Sequence, residues 1–163
     1  MKKSLFLLFI FVLSSSIQAQ KISYSFKPLA AEGCNVRYTP NWKDGKPYLL
    51  IQVKSDRMLF SESPVVLFKS FEGDTIRLEG VKLDGKTESA GIMIGSMILP
   101  ATALEARAIF ELSSEQVDFF KKGIAKVRIY LTPMNHEREF NKDKIGNKIY
   151  KVFIKSKKED TEF

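Results

Sequence analysis

Hydrophobic and polar residues alternate with a period of two over most of the chain beyond residue 20, the pattern of strands with one face buried and one wet. Ile22, Tyr24 and Phe26 alternate with Ser23, Ser25 and Lys27 until Pro28 stops the run. Strands are predicted over residues 34–39 and 48–54. The stretch between them, 40–47, reads as a loop in which Asp44-Gly45 carries the positive-φ chemistry of a hairpin. Residues 65–71 and 75–83 flank Glu72-Gly73-Asp74, a second hairpin. In the later strand the apolar phase shifts from Ile76 and Leu78 to Val81 and Leu83 across Gly80, which predicts a β-bulge. Asp84-Gly85 predicts a third reversal into residues 87–97.

From Ala90 to Leu99 the chain is apolar on both strand faces and ends at Pro100. Met93 and Met97, with Ile92, Ile94 and Ile98, have the makings of an adaptable partner patch. Burial as a central strand is the expectation preferred here. Alternation resumes over 104–112, with Ala106, Ala108 and Phe110 opposite Arg107, Ile109 and Glu111. The last third changes character. Ser113 with Gln116 three residues on forms a capping box, Glu115 favours the positive helix end, and Gly123 closes a short helix. Ala125, Val127, Ile129 and Leu131 then mark a strand. Thr132 to Asn135 turns it back into residues 136–140, and a four-residue turn would set Arg128 opposite Glu139.

Residues 144–155 carry two signals. Ile145, Ile149, Val152 and Phe153 follow helical spacing, and at about 100° per residue Lys144, Lys148, Lys151 and Lys155 fall within a sector of about 60° beside that stripe. Gly146 and the β-rich run 149–154 favour a strand instead. Helix is the expectation, with the strand left open. Together these elements predict a mainly β chain: an antiparallel sandwich or partly open barrel of seven to nine strands, with one or two short helices in the C-terminal third.

Composition adds compartment and size. Residues 1–19 have the form of a secretory signal, with Lys2 and Lys3, an apolar run, Ser14 to Ser16 and then Ala19. The expectation is a cleaved leader, one β-rich domain over 20–155 and a charged disordered tail over 156–163, released to the periplasm or medium. The apolar run is shorter than the ~20 residues a spanning helix needs. No other segment reads as transmembrane. Cys34 is the only cysteine, so no internal disulfide forms. It lies too far from the apolar run, after Ala31, Glu32 and Gly33, for a lipoprotein signal. Its phase with Val36 and Tyr38 reads as a buried small hydrophobe. Charge is uneven: residues 20–120 carry 12 basic and 13 acidic side chains, residues 121–163 carry 12 and 6. The basicity of the mature chain belongs to its final quarter, which replaces a general polyanion binder with a local patch.

Candidate chemistry is sparse. His136 is the only histidine, which with a single cysteine excludes His- and Cys-based metal clusters, and no calcium loop, phosphate loop or nucleophile elbow occurs. No cofactor is predicted. Glu137 and Glu139 share a strand face and are the nearest carboxylate pair for acid–base work, though charges that discourage pairing at a sheet edge are the better reading. Two binding surfaces remain. Trp42, in the hairpin loop between Tyr38 and Tyr48, offers a ring for a sugar or peptide if exposed, against a reading as a lid on the core. Lys144, Lys148, Lys151 and Lys155 could meet phosphates of anionic lipid or lipopolysaccharide, with a solvated helix face as the default reading; nucleic acid is disfavoured.

Three segments, Phe110-x-Leu112-Ser113-x-x-Gln116, Gly123-Ile124-x-Lys126-Val127-Arg128-Ile129 and Phe140-x-Lys142-Asp143-Lys144-Ile145-Gly146, resemble the C-terminal part of small, uncharacterised exported bacterial proteins of a gut-type Gram-negative group. The resemblance covers the last third alone and rests on structural motifs. It implies bacterial export and a strand–helix–strand order, and no activity. The functional expectation is a non-catalytic accessory or binding protein of the bacterial envelope whose partner is a protein or glycan. The alternatives are a peripheral binder of anionic envelope through the basic segment, and an enzyme of dispersed carboxylates acting on glycans.

Overall fold

In the computed structural model, residues 22–25, 35–94 and 97–161 are described, those from 88 to 103 by their backbone. Residues 1–19, Phe26, Pro28 and Cys34 lie outside the described residues, and so do the expectations attached to them. The elements in order are β1 (Ile22–Ser25), β2 (Asn35–Lys43), β3 (Lys46–Ser55), β4 (Leu59–Phe60), β5 (Val65–Ser70), β6 (Thr75–Glu79), β7 (Val81–Ile94), β8 (Met97–Glu111), α1 (Ser114–Phe119), β9 (Ile124–Ile129), β10 (Leu131–Thr132), β11 (His136–Glu139) and α2 (Gly146–Thr161). Every strand pair is antiparallel. A five-stranded sheet runs β1-β2-β3-β8-β7, a four-stranded sheet β11-β9-β5-β6, and β10 pairs with β4. The result is a mainly β, sandwich-like fold with its helices near the C-terminus. The strand number exceeds seven to nine partly because β4 and β10 have two residues each, too few for alternation to show.

The core lies between the two large sheets and under α2. Phe68, Phe110, Phe120 and Phe153 are fully buried, and rings connect the layers: Tyr38 of β2 lies 6.1 Å from Phe68 of β5, Phe68 lies 5.2 Å from Phe120, and Phe120 lies 6.4 Å from Phe153 of α2. Such offset and edge contacts contribute ~0.5–1.5 kcal/mol per pair beyond the area they bury. The capping box of α1 forms as expected: Gln116 N–H donates to Ser113 Oγ at 3.2 Å, and Ser113 N–H donates to Gln116 Oε1 at 2.8 Å.

Four local expectations are corrected. The stretch 40–47 is strand rather than loop, because β2 and β3 pair as far as Lys43–Lys46 and only Asp44 (φ 53°) and Gly45 (φ 76°) turn. Gly80 is a crossing rather than a bulge. β6 belongs to the four-stranded sheet and β7 to the five-stranded one, so the shift in apolar phase marks the passage between sheets. A Cβ on Gly80 would lie 2.5 Å from the carbonyl oxygen of Ile109, which explains the glycine. Asp84-Gly85 does not reverse the chain. It is the irregularity within β7, between Leu83 and Lys86, with the Arg107 guanidinium donating to the Asp84 carbonyl. Arg128 faces Glu137, not Glu139, because Leu131 and Thr132 leave the β9–β11 hairpin to pair with Leu59 and Phe60, which shifts its register by two.

The apolar run is not a central strand. β7 is an edge strand, and residues 88–94 pair only with 97–103, beyond the end of β3, whose Ser55 pairs with Leu104. The backbone there forms a two-stranded arm extending from the sheet.

Candidate functional site

The site begins with Asp143, which ties the β11–α2 connection to the start of β9. Its Oδ1 accepts from the backbone N–H groups of Gly146 at 2.8 Å, Ile124 at 3.1 Å and Ile145 at 3.3 Å. Its Oδ2 accepts from the N–H of Asn147 at 2.8 Å and from that residue's side-chain amide at 2.7 Å. The carboxylate thus satisfies N–H groups that a helix start leaves without partners. Burial alone would push its pKa up, but the hydrogen bonds from Asn147, Ile124 and Gly146 outweigh it and hold the carboxyl below its ordinary value. Gly146 is required by close approach: a Cβ would lie 2.8 Å from Ile124 N and 2.9 Å from Gly123 Cα. The glycine that argued for a strand is what lets the helix begin against that backbone.

From there α2 buries Ile149 and Phe153, with Ile145 just before it, as the helical stripe predicts. Its far end clamps the β2–β3 hairpin. Ser156 Oγ accepts from Trp42 N–H at 2.7 Å and donates to Asn41 Oδ1 at 3.0 Å, and the Asp160 carboxylate accepts from Asp44 and Gly45 N–H groups at 3.2 and 2.9 Å. β1 pairs with β2 only as far as Tyr38, so α2 covers the strand edge that β1 leaves open. These contacts also correct the disordered tail, since residues 156–161 are the last turns of α2.

The face of α2 beside that stripe is basic. Lys148, Lys151 and Lys155 are exposed along it, Lys144 stands at its root, and Lys158 extends the row, spanning ~15 Å from 148 to 158 at 1.5 Å per residue. Beside the root, Arg138, Lys142 and Lys144 line a depression of about 280 Å³ with Glu139, Phe140 and Asn141. Of these seven cations, only Lys155 has a carboxylate within ion-pair distance among the described residues, Glu159 at 3.8 Å. Elsewhere charges pair closely: Lys46 with Glu111 at 2.7 Å, Lys122 with Asp74 at 2.5 Å, Lys126 with Glu139 at 2.9 Å. The charge excess of the final quarter is therefore one uncompensated face. The structure brings Lys144, Lys148, Lys151 and Lys155 together as the spacing predicts, and adds Arg138, Lys142 and Lys158. Lys158 falls in the stretch expected to be a disordered tail, and nothing in the local pattern links Arg138 to the helix root.

The aromatic trio does not converge. Tyr38 and Trp42 point inward from β2, at 2% and 8% exposure, whereas Tyr48 lies half-buried on the outer face of β3. Because the expected loop is strand, Trp42 falls on a core-facing position, and Lys157 Nζ sits 4.7 Å from its ring centre. The indole is the lid on the core rather than an exposed platform. Tyr38 belongs to a buried polar chain: Tyr24 Oη lies 3.2 Å from Tyr38 Oη and 3.0 Å from His136 Nε2. Burial raises both tyrosines and pushes His136 down to about 4, so the imidazole is neutral at pH 7.

Glu137 and Glu139 are bound in ion pairs. Lys126 Nζ lies 3.0 Å from Glu137 and 2.9 Å from Glu139, and Arg128 pairs with Glu137. Hydrogen bonds from Lys126 and Arg128 hold Glu137 below its ordinary pKa, the opposite of what a general acid at neutral pH requires. Among the described residues no three His, Cys, Asp or Glu side chains gather as a metal site, and no helix is long and apolar enough to cross a membrane. Compared with known protein families, curated proteins and solved structures, the chain finds no match.

Proposed function

We propose that this chain is an exported, non-catalytic binding protein of the bacterial envelope that docks on a phosphate-bearing membrane surface through the cation face of β11 and α2. Export rests on the leader-like pattern of residues 1–19. Docking rests on one observation: Arg138, Lys142, Lys144, Lys148, Lys151, Lys155 and Lys158 lie exposed on one connected stretch, and among the described residues only Lys155 has a carboxylate within ion-pair distance. α2 spends its apolar face on the core, so the interaction is electrostatic adsorption rather than insertion. Each lysine near an anionic leaflet contributes ~1 kcal/mol, and the attraction fades within a Debye length of ~8–10 Å.

Co-sedimentation with vesicles tests this reading. The full chain is expected to bind phosphatidylcholine vesicles containing phosphatidylglycerol, to release as salt rises, and to ignore vesicles of phosphatidylcholine alone. Equal binding to both compositions, or none to the anionic vesicles at low salt, refutes it.

A further inference from the structure

The outer face of the five-stranded sheet carries a second, chemically different surface. Thr39, Leu50, Ile109 and Val81 stand in register across β2, β3, β8 and β7, a row spanning ~14 Å at the ~4.8 Å spacing of strands. Val81 is 64% exposed. Tyr48 lies in the next row, between Asn41 and Glu111. Around Tyr48, Leu50 and Ile109 the surface sinks into a groove of about 490 Å³, whose rim is Thr39, Asn41, Lys43 and Asp44.

We infer that this groove binds a neutral saccharide. Its floor is two aliphatic side chains and one phenol ring, a surface for the C–H face of a pyranose. Its rim supplies the hydroxyl of Thr39, the ammonium of Lys43 and the carboxylate of Asp44. Asn41 already accepts from Ser156 through its oxygen, which leaves the amide nitrogen to donate. These groups match ring hydroxyls, and one cation with one anion gives the groove no net charge, unlike the face of α2. An extended peptide fits poorly. The backbone groups of β3 and β8 are spent on their own ladders, so a peptide lying across the aliphatic row would leave its N–H and C=O groups unpartnered there. Of Tyr38, Trp42 and Tyr48, only Tyr48 lines this groove, on the other face of the hairpin from Trp42.

The experiment is a ¹H–¹⁵N NMR titration of the full chain with maltotetraose, cellotetraose, chitotetraose and mannotetraose in turn, each to millimolar concentration. At least one is expected to shift the amides of residues 39, 41–44, 48–50 and 109, at low and high salt alike. Tyr48→Ala weakens that binding at least tenfold, while far-UV circular dichroism and Trp42 fluorescence stay as in the parent. Ile109→Asp, on the same wet face, is the second variant and gives the same loss. No shifts with any of the four sugars, shifts that map elsewhere, or binding unchanged in both variants overturns the inference. Because the vesicle assay reads a different face and depends on salt, failure here leaves that result standing, and the converse.

Discussion

Replacing Asp143 tests how the cation face is held in place. The carboxylate receives five hydrogen bonds, four from backbone N–H groups at the start of β9 and α2. Losing a helix N-cap costs ~0.5–2 kcal/mol, and a hydrogen bond to a charged group contributes ~1.5–3 kcal/mol, with shared donors making the sum less than additive. Asp143→Ala is therefore expected to destabilise by about 3 kcal/mol and Asp143→Asn by about half that, because the amide oxygen still caps the helix. For a domain of this size each kcal/mol corresponds to ~2–4 °C in Tm, so the alanine variant melts roughly 6–12 °C lower by circular dichroism. Trp42 gives a second readout, since undocking of α2 removes Ser156 and Lys157 from it and shifts its emission to the red. The folded-state pKa lies below the unfolded value of 3.8, so this stabilisation is complete above that value and disappears as pH falls through the folded one. An Asp143→Ala protein within about 0.5 kcal/mol of the parent refutes the assigned role.

Other expectations follow from the same packing. His136 titrates near 6.5 when unfolded and near 4 when folded, so its contribution is complete above pH 6.5 and is lost on acidification towards 4, by up to about 1.4 kcal/mol per pH unit. Urea midpoints of the parent and His136→Asn across that window check this, and parallel pH profiles would contradict it. Trp42 should resist acrylamide in the native state and become quenchable only on unfolding; ready quenching of the folded protein would contradict its burial. Gly80→Ala sets a methyl 2.5 Å from the backbone oxygen of Ile109 and should cost ~1–3 kcal/mol in denaturant unfolding, whereas a neutral substitution would contradict the tight crossing between sheets.

Much of this architecture is legible from local chemistry. The capping box at Ser113, the Asp44-Gly45 turn and the stripe of Ile145, Ile149 and Phe153 each depend on neighbours within a few residues, and each forms. What could not be read locally depends on long-range pairing. Gly80 looks like a bulge until two sheets claim the halves on either side of it. Trp42 looks like a loop residue until β2 continues through Pro40, and α2 takes the edge that β1 leaves free. The apolar run looks like a buried strand, since alternation reports faces and not which neighbours a strand has. For the site, helical spacing collected four lysines, but Arg138 and Lys142 join them only through the turn that Asp143 holds.

On the proposed function, uncompensated charge on α2 and its root binds phosphate at a membrane surface. The most direct measurement is the partition coefficient of the full chain and its Lys148→Gln/Lys151→Gln/Lys155→Gln variant on phosphatidylglycerol-containing vesicles at low salt. At ~1 kcal/mol per lysine the variant should bind roughly 150-fold more weakly with its fold intact. Equal partitioning of the two proteins would contradict the account.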